Sequence, residues 1–333
     1  MPGPLTEITE LSTALGTLAP NLATALRERP AELGNVPEEV WYRLLAAYES
    51  GTHADSFETA FANGSALLAA ADGLRGRRPR VVEWKGPHQS PGDDVIPADL
   101  RIDHVYLISC KYLSRVLLNA GPSRLFQRLL VGESRDTDNW FSTTAPREFQ
   151  AFYAATREVA GLRELPLAAV DLTASQQREL RIAVGQRALP SPLRPVWQEL
   201  CEEVSRHSTG IWRAALTSKR AMLRHVWKLL RISNATYFVL GTDKDAHVRI
   251  RVASTWDWNQ AFELRSLELA PRAAGQPEVA WKVGIRDRYT ARTIEIFGHV
   301  EIRWSHGRFV GAPEAKVYLD TPHAEVPGYY PLV

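Results

Sequence analysis

Two short apolar runs joined by two polar residues constrain the fold of this chain more than any other feature. Residues 100–102 and 105–109 both suit β-strands, and Asp103-His104 between them suits a tight turn. Asp99 stands immediately before the first run, and Lys111 follows the second. In a hairpin the start of one strand lies beside the end of the other, so we expect these two charged side chains to meet.

A carboxylate and an ammonium group at the end of a sheet suit the hydrolysis of a phosphodiester bond. The reaction adds negative charge to a phosphate that is already anionic, and a divalent cation and a lysine offset that charge. A bound metal ion also lowers the pKa of the water molecule that attacks the phosphorus. The hairpin therefore predicts a metal-dependent site for phosphodiester cleavage.

Periodicity and turn signals predict the order of elements along the chain. In chain order these are helices over residues 1–72, a strand over 80–84, a loop over 86–97, the hairpin, a helix over 113–130, helices over 146–231 and strands beyond 233. Three regions follow: 1–145 with N-terminal helices and a sheet core, 146–232 as a helical insertion, and 233–333 as a β-rich region.

The order helix, strand, strand, strand, helix over residues 55–130 resembles that of the PD-(D/E)XK nuclease superfamily, the fold of many restriction endonucleases. Two segments carry the resemblance, Pro97-Ala98-Asp99 and Ser109-Cys110-Lys111, together with Glu58 on the preceding helix. The resemblance covers about a quarter of the chain. It implies an α+β fold with a restriction-endonuclease-like mixed sheet flanked by helices.

The resemblance also implies a role for each of these residues. Asp99 would bind Mg²⁺ or Mn²⁺, with Glu58 and the Cys110 carbonyl as further ligands. Lys111 would orient the attacking water or help to deprotonate it. Ser109 departs from the pattern, because the family usually has Asp or Glu there and a neutral hydroxyl cannot supply that charge.

Other assignments of the site stay open on the sequence alone. Glu83-Trp84-Lys85 has a true acid-x-lysine spacing, although a Gly- and Pro-rich loop follows it rather than a helix. Glu314-Ala315-Lys316 is a third match, without a suitable acid-bearing strand before it. Asp103 becomes a candidate ligand if the two apolar runs form one longer strand. Each motif also fits an ordinary solvated strand or turn.

Contacts to nucleic acid are expected at three places, since clustered cations neutralise phosphates and aromatic rings stack on bases. A helix over residues 211–231, a loop before the first strand and the β-rich region supply the candidates. The cations are Arg213, Lys219, Arg220, Arg224, Lys228, Arg77, Arg78, Arg303 and Arg308, and the tryptophans are Trp256, Trp258 and Trp304. A basic face that is merely solvated remains an alternative.

Composition narrows the functional classes without choosing one. The net charge of +2 neither requires nor excludes nucleic acid, and the two cysteines suit a reducing cytoplasm. Phosphate-binding glycine loops, His-Glu-x-x-His and Gly-x-Ser-x-Gly do not occur. No secretion signal or membrane-spanning run of about 20 apolar residues is seen, so a cytoplasmic location is expected.

The sequence thus predicts a metal-dependent endonuclease that cuts DNA, with a restriction-like or phage-defence role. Cutting both strands of a duplex needs two sites, which favours a homodimer. Two alternatives share the same fold: a catalytically inactive subunit that binds DNA or aids assembly, and an RNA-cleaving toxin.

Overall fold

The structure is a computed structural model that describes residues 4–86, 96–111, 116–128, 139–184, 189–243, 246–305 and 307–333. It divides into two compact units, each assembled from separate stretches of chain. Unit 1 contains residues 1–115, 231–262 and 322–333, and unit 2 contains residues 116–230 and 263–321. These units differ from three consecutive regions, because both ends of the chain contribute strands to the sheet of unit 1.

Helices and strands alternate in groups along the chain. The helices are α1 (Pro4–Leu18), α2 (Leu22–Glu28), α3 (Glu38–Glu49), α4 (Ala54–Ala69), α5 (Trp140–Thr144), α6 (Pro146–Val159), α7 (Ala174–Val184), α8 (Arg194–Ala215), α9 (Lys219–Leu229) and α10 (Thr255–Ala261). The strands are β1 (Leu33–Gly34), β2 (Val82–Trp84), β3 (Leu100–Ile102), β4 (Tyr106–Lys111), β5 (Val116–Ala120), β6 (Tyr237–Asp243), β7 (Ala246–Val252), β8 (Phe262–Ala273), β9 (Pro277–Asp287), β10 (Thr293–Arg303), β11 (Glu314–Leu319) and β12 (Tyr329–Pro331).

Unit 1 is built on a seven-stranded mixed sheet in the order β1-β2-β3-β4-β6-β7-β12. Strands β2, β3 and β4 form an antiparallel meander, and β6 runs parallel to β4. Helices and a mixed sheet in one unit confirm the α+β class expected from the sequence. The chain between β4 and β6 supplies a large part of unit 2.

Helices α1 and α4 approach each other closely beside this sheet. A Cβ atom on Gly16 would lie 2.1 Å from the Phe61 carbonyl oxygen, and one on Gly64 would lie 2.0 Å from the Thr13 carbonyl oxygen. Only glycine permits this approach at both positions. The same core contains Trp84 from β2 and Ile108 from β4, so the packing fixes α1 against the sheet.

Unit 2 combines a five-stranded antiparallel sheet, in the order β5-β11-β10-β9-β8, with helices α5 to α9. Its core is rich in aromatic rings. Phe141 stacks on Trp304 at 4.1 Å between ring centroids, and Phe126 packs on Trp212 at 4.7 Å. This packing explains why tryptophans in the helical and β-rich sequence regions are buried together.

The predicted hairpin is confirmed, and its turn has an identifiable cause. Asp103 and His104 both adopt left-handed backbone conformations, with φ of 49° and 59°. Two consecutive residues of this kind match the twist of a two-residue hairpin turn. The turn aligns Leu100 with Ile108 across the two strands.

Of the helix predicted over residues 113–130, interrupted or bent at Gly121-Pro122, the part before the interruption is wrong, whereas residues 122–128 are helical. Val116–Ala120 forms β5, which pairs with β11, and a short π-helix covers Arg124–Arg128. Residues 113–115 and 129–130 of that prediction, and residues 87–95 of the predicted loop, lie outside the described residues. No helix in the described parts of the chain is both long enough and apolar enough to span a bilayer.

Candidate active site

Asp99 is held at the start of β3 by the backbone and side chains of β4. Its backbone N–H donates to the Ile108 carbonyl oxygen at 2.7 Å. Its carboxylate Oδ2 accepts the Cys110 N–H at 2.6 Å and the Ser109 hydroxyl at 3.4 Å. Burial raises the pKa of Asp99 above its usual value, although these hydrogen bonds oppose the rise.

Lys111 lies close enough to Asp99 to interact with it electrostatically, as the hairpin predicted. The positive charges of Lys111 and Lys85 both favour the ionised form of Asp99. Lys111 ends β4 opposite Gly241 of β6, and a Cβ atom on Gly241 would lie 2.2 Å from the Lys111 carbonyl oxygen. This close strand pairing fixes the backbone that carries the lysine.

Glu10 of α1 is the second acid at this site. Its Oε2 accepts the indole N–H of Trp84 at 2.6 Å, which ties the carboxylate to β2. Burial and, after it, the charge of Asp99 together raise the pKa of Glu10 to about 8, while the Trp84 hydrogen bond and the charge of Lys111 oppose the rise. The two carboxylates therefore interact electrostatically with each other, and Lys111 interacts with both.

Glu58, the helix ligand expected from the sequence, is exposed on α4. The inward face of α4 carries Phe57 and Phe61 instead, because the helical phase turns the intervening Glu58 toward solvent. The structure thus places Glu58 in solvent, and Glu10 is the carboxylate whose pKa the charge of Asp99 affects. A signal for Glu10 was present in the sequence: it stands one turn from Glu7 beside the apolar positions Ile8 and Leu11.

Ser109 and Cys110 support the Asp99 carboxylate in different ways. The Ser109 side chain is completely buried and donates its hydroxyl to that carboxylate. Burial raises the pKa of the Cys110 thiol well above its ordinary value, the charges of Asp99 and Glu10 raise it further, and Thr13 is its hydrogen-bonding neighbour. The thiol therefore stays protonated and is not a nucleophile at neutral pH.

Glu10 and Asp99 form a donor set that fits a hard divalent cation. Mg²⁺ takes oxygen ligands and commonly binds one or two carboxylates while water completes its shell. Two neighbouring carboxylates with raised pKa values would be stabilised in their ionised form by such a charge. Among the described residues, no group of three or more His, Cys, Asp or Glu side chains is arranged as a metal site.

The competing acids have other partners. Glu83 accepts two hydrogen bonds from Arg101, at 2.7 and 2.8 Å, and lies 3.0 Å from His104. Asp103 accepts the Arg80 N–H at 2.7 Å and thereby stabilises the hairpin turn. Glu314 belongs to unit 2, where it accepts hydrogen bonds from Ser305 and Asn119. Among the residues of these competing motifs, Lys85 is the one whose charge affects the pKa of Asp99.

The single basic helix expected over residues 211–231 is two helices. Arg213 lies on α8, which ends at Ala215, and α9 begins at Lys219. Ser218 caps α9 by accepting the Ala221 N–H, which explains the break. The cations of this stretch are exposed: Arg213, Lys219, Arg220, Arg224 and Lys228. His225 of the same stretch is instead buried against Trp212.

The remaining nucleic-acid candidates have internal partners. Arg77 pairs with Asp103 at 2.7 Å, and Arg78 pairs with Glu32 at 3.2 Å. Arg303 lies 3.5 Å from Glu301. These three guanidinium groups stay accessible beside their acids.

Arg308 and the tryptophans are placed differently from the sequence expectation. The Arg308 guanidinium lies 5.5 Å from the centre of the Trp197 ring, and burial lowers its pKa. Trp304 and Trp258 are buried, so stacking of either ring on a base is wrong as a prediction. Trp256 is 68 % exposed and remains accessible.

No protein-family model matches this chain, and neither the curated proteins nor the solved structures contain a significant match.

Proposed function

We propose that unit 1 is a divalent-metal-dependent endonuclease that hydrolyses phosphodiester bonds in DNA. The observation that carries the proposal is the meeting of Glu10, Asp99 and Lys111 at the end of the β2-β3-β4 meander. Two coupled carboxylates beside a lysine suit metal-assisted hydrolysis. A restriction-like or phage-defence role and a homodimer are parts of the same proposal.

Each residue has a distinct task in this proposal. Glu10 and Asp99 would hold Mg²⁺ or Mn²⁺, with the Cys110 carbonyl as a further ligand. The bound ion would offset charge on the phosphate and lower the pKa of the attacking water. Lys111 orients that water or takes part in its deprotonation. The Trp84 indole and the Cys110 N–H position the two carboxylates.

The strand order supports the resemblance on which the proposal also depends. Helix α4 is followed by β2, β3 and β4, with Asp99 at the start of the second of these strands and Lys111 at the end of the third. Glu10 offers a carboxylate that compensates for the neutral Ser109. Glu10 on α1 thus offers the negative charge that an acidic residue in place of Ser109 on β4 would supply.

The test is a plasmid-cleavage assay with and without Mg²⁺ or Mn²⁺. We expect Lys111→Ala to lower the rate by roughly 100-fold or more, because positioned charges at such sites have effects of that size. Glu58→Gln is the matched control and should cut like the wild-type protein, since Glu58 is exposed on α4. Undiminished cutting by Lys111→Ala would remove the assignment.

A catalytically inactive nuclease fold that binds DNA is the second candidate, and Ser109 favours it. An inactive relative can lack an acidic residue at this position of β4, because it does not need the negative charge for catalysis. Binding of Mn²⁺ by the wild-type protein separates the two, because an inactive relative has no need to retain the ion. Parallel assays on RNA test the remaining alternative, in which a toxin of this fold cuts RNA.

A further inference from the structure

The hairpin between β9 and β10 presents an exposed tyrosine among arginines. Tyr289 is 81 % exposed, the highest value for a large apolar side chain in the described ranges. Arg288 precedes it and Arg292 follows three positions later, and both are exposed. A ring that is so little covered buries little area on folding and so contributes little to stability, which favours a role in binding.

The turn is held in one conformation by its own hydrogen bonds. The Asp287 carboxylate accepts the N–H groups of Tyr289 at 2.8 Å and Thr290 at 3.0 Å. The Asp287 N–H donates to the Arg292 carbonyl oxygen at 2.9 Å and closes the loop. Ala291 is left-handed, with φ of 58°, which an alanine avoids in ordinary turns. The tip is therefore pre-organised, which lowers the entropy lost on binding.

Cations from neighbouring elements surround a single carboxylate beside this hairpin. The Lys219 ammonium lies 2.9 Å from the Glu263 carboxylate, and the Arg265 guanidinium lies 3.3 Å from it. The hydrogen bond from Lys219 holds the pKa of Glu263 below its usual value, and the charges of Arg265 and Arg288 lower it further. Cations from α9, β8 and the hairpin thus act on the Glu263 carboxylate together.

We name this region the hairpin surface and define it by its charged residues and Tyr289. Its cations are those that act on Glu263 and Asp287, namely Lys219, Arg265, Arg288 and Arg292. The Asp287 oxygens are already used by N–H groups of the turn. Lys219 and Arg220 also begin α9, where a cation opposes the helix dipole, so helix stability does not explain them.

We propose that the hairpin surface binds double-stranded DNA, with its arginines on phosphates and Tyr289 against bases in a groove. A two-stranded ribbon fits the major groove, and arginine forms paired hydrogen bonds with phosphate. The Tyr289 side chain at the narrow tip can reach base edges in the groove, where its hydroxyl can form hydrogen bonds and its ring can contact thymine methyl groups. The choice of DNA rests on the proposed function, whereas the binding itself requires no cleavage.

Fluorescence anisotropy of a labelled DNA duplex tests this proposal on the full chain, with a chelator present so that no cutting occurs. We expect Tyr289→Ser to weaken binding by roughly 5- to 100-fold, the effect of losing an aromatic side chain that is buried at an interface. The double variant Arg288→Ala, Arg292→Ala should reduce the slope of log affinity against log salt by about 1.8, since each phosphate contact contributes about 0.9.

Two control variants match these changes elsewhere on the chain. Tyr42→Ser removes another tyrosine, 65 % exposed, and Arg178→Ala removes an exposed arginine on α7. Both should bind DNA like the wild-type protein. Circular dichroism and thermal melting establish that all variants are folded before binding is compared.

Unchanged affinity and salt slope in both hairpin variants would overturn the proposal, as would binding to anionic phosphatidylglycerol vesicles in preference to the duplex. The result is separable from the nuclease assignment. A wild-type protein that binds the duplex through Tyr289 but never cuts would remove the nuclease proposal alone. Cutting that persists with unaltered binding in the hairpin variants would remove the hairpin proposal alone.

Discussion

Replacing Glu10 by glutamine should stabilise the protein while removing its proposed metal site. The carboxylate is buried, with a pKa raised from 4.5 to about 8, so the folded state resists its ionisation. A group whose pKa is raised on folding contributes its full stability below the unfolded value and loses it as the pH rises toward the folded value. Ionisation of Glu10 therefore destabilises the fold increasingly between pH 4.5 and 8.

The size of the effect follows from this shift. Each pH unit between the two pKa values corresponds to about 1.4 kcal/mol, so at pH 7 the penalty is about 3 kcal/mol and at pH 5 about 1 kcal/mol. Glutamine has nearly the same shape, never ionises and can still accept the Trp84 N–H. We expect Glu10→Gln to raise the free energy of unfolding by about those amounts in the metal-free protein.

Urea denaturation at pH 5 and pH 7, followed by tryptophan fluorescence, measures the difference. Glu7→Gln is the control on the same helix: Glu7 lies 2.8 Å from the Arg43 guanidinium, and its replacement should give no gain. A Glu10→Gln variant that is no more stable than the wild-type protein at pH 7, or equally stabilised at both pH values, would refute the reasoning.

Two further predictions concern packing and acid stability. His225 is buried against Trp212 with a pKa lowered to about 3, so its stabilising contribution is complete above pH 6.5 and is lost as the pH falls toward 3. The contribution of His225 to stability should decline by about 2 kcal/mol between pH 7 and pH 5, and His225→Leu should remove this contribution from a pH series of denaturation curves compared with those of the wild-type protein. Gly16→Ala should cost about 2 kcal/mol or more, because its Cβ would lie 2.1 Å from a backbone oxygen of α4. Gly210→Ala on α8, which meets nothing within 4 Å, should instead raise the melting temperature.

Local signals identified the hairpin and its two charged ends, since the turn at Asp103-His104 depends on neighbouring residues alone. Strand β5 was not predicted, because its partner strand is distant in the sequence. Asn119 of β5 contacts Glu314, 195 positions later. Its apolar residues therefore fit a helix equally well when read alone. Partners that far apart leave no pattern in a local window.

The choice between Glu58 and Glu10 illustrates the same limit at the site. Helix α1 is buried from Glu7 to Leu18, whereas α4 keeps an exposed face that carries Glu58, and only tertiary packing produces this difference. The close approach of Gly16 to α4 fixes the position of α1 and brings Glu10 to Trp84. A helix read alone assigns its charged residues to solvent, so a buried acid is assigned to the wrong face.

The central claim is that Glu10 and Asp99 together hold a divalent cation beside Lys111. Electron paramagnetic resonance of Mn²⁺ titrated into the protein tests it directly, because free and bound Mn²⁺ give different signals. The account predicts a bound ion in the wild-type protein and in Glu58→Gln, and its loss in Asp99→Asn and Glu10→Gln. Equal Mn²⁺ binding by all four proteins would contradict it.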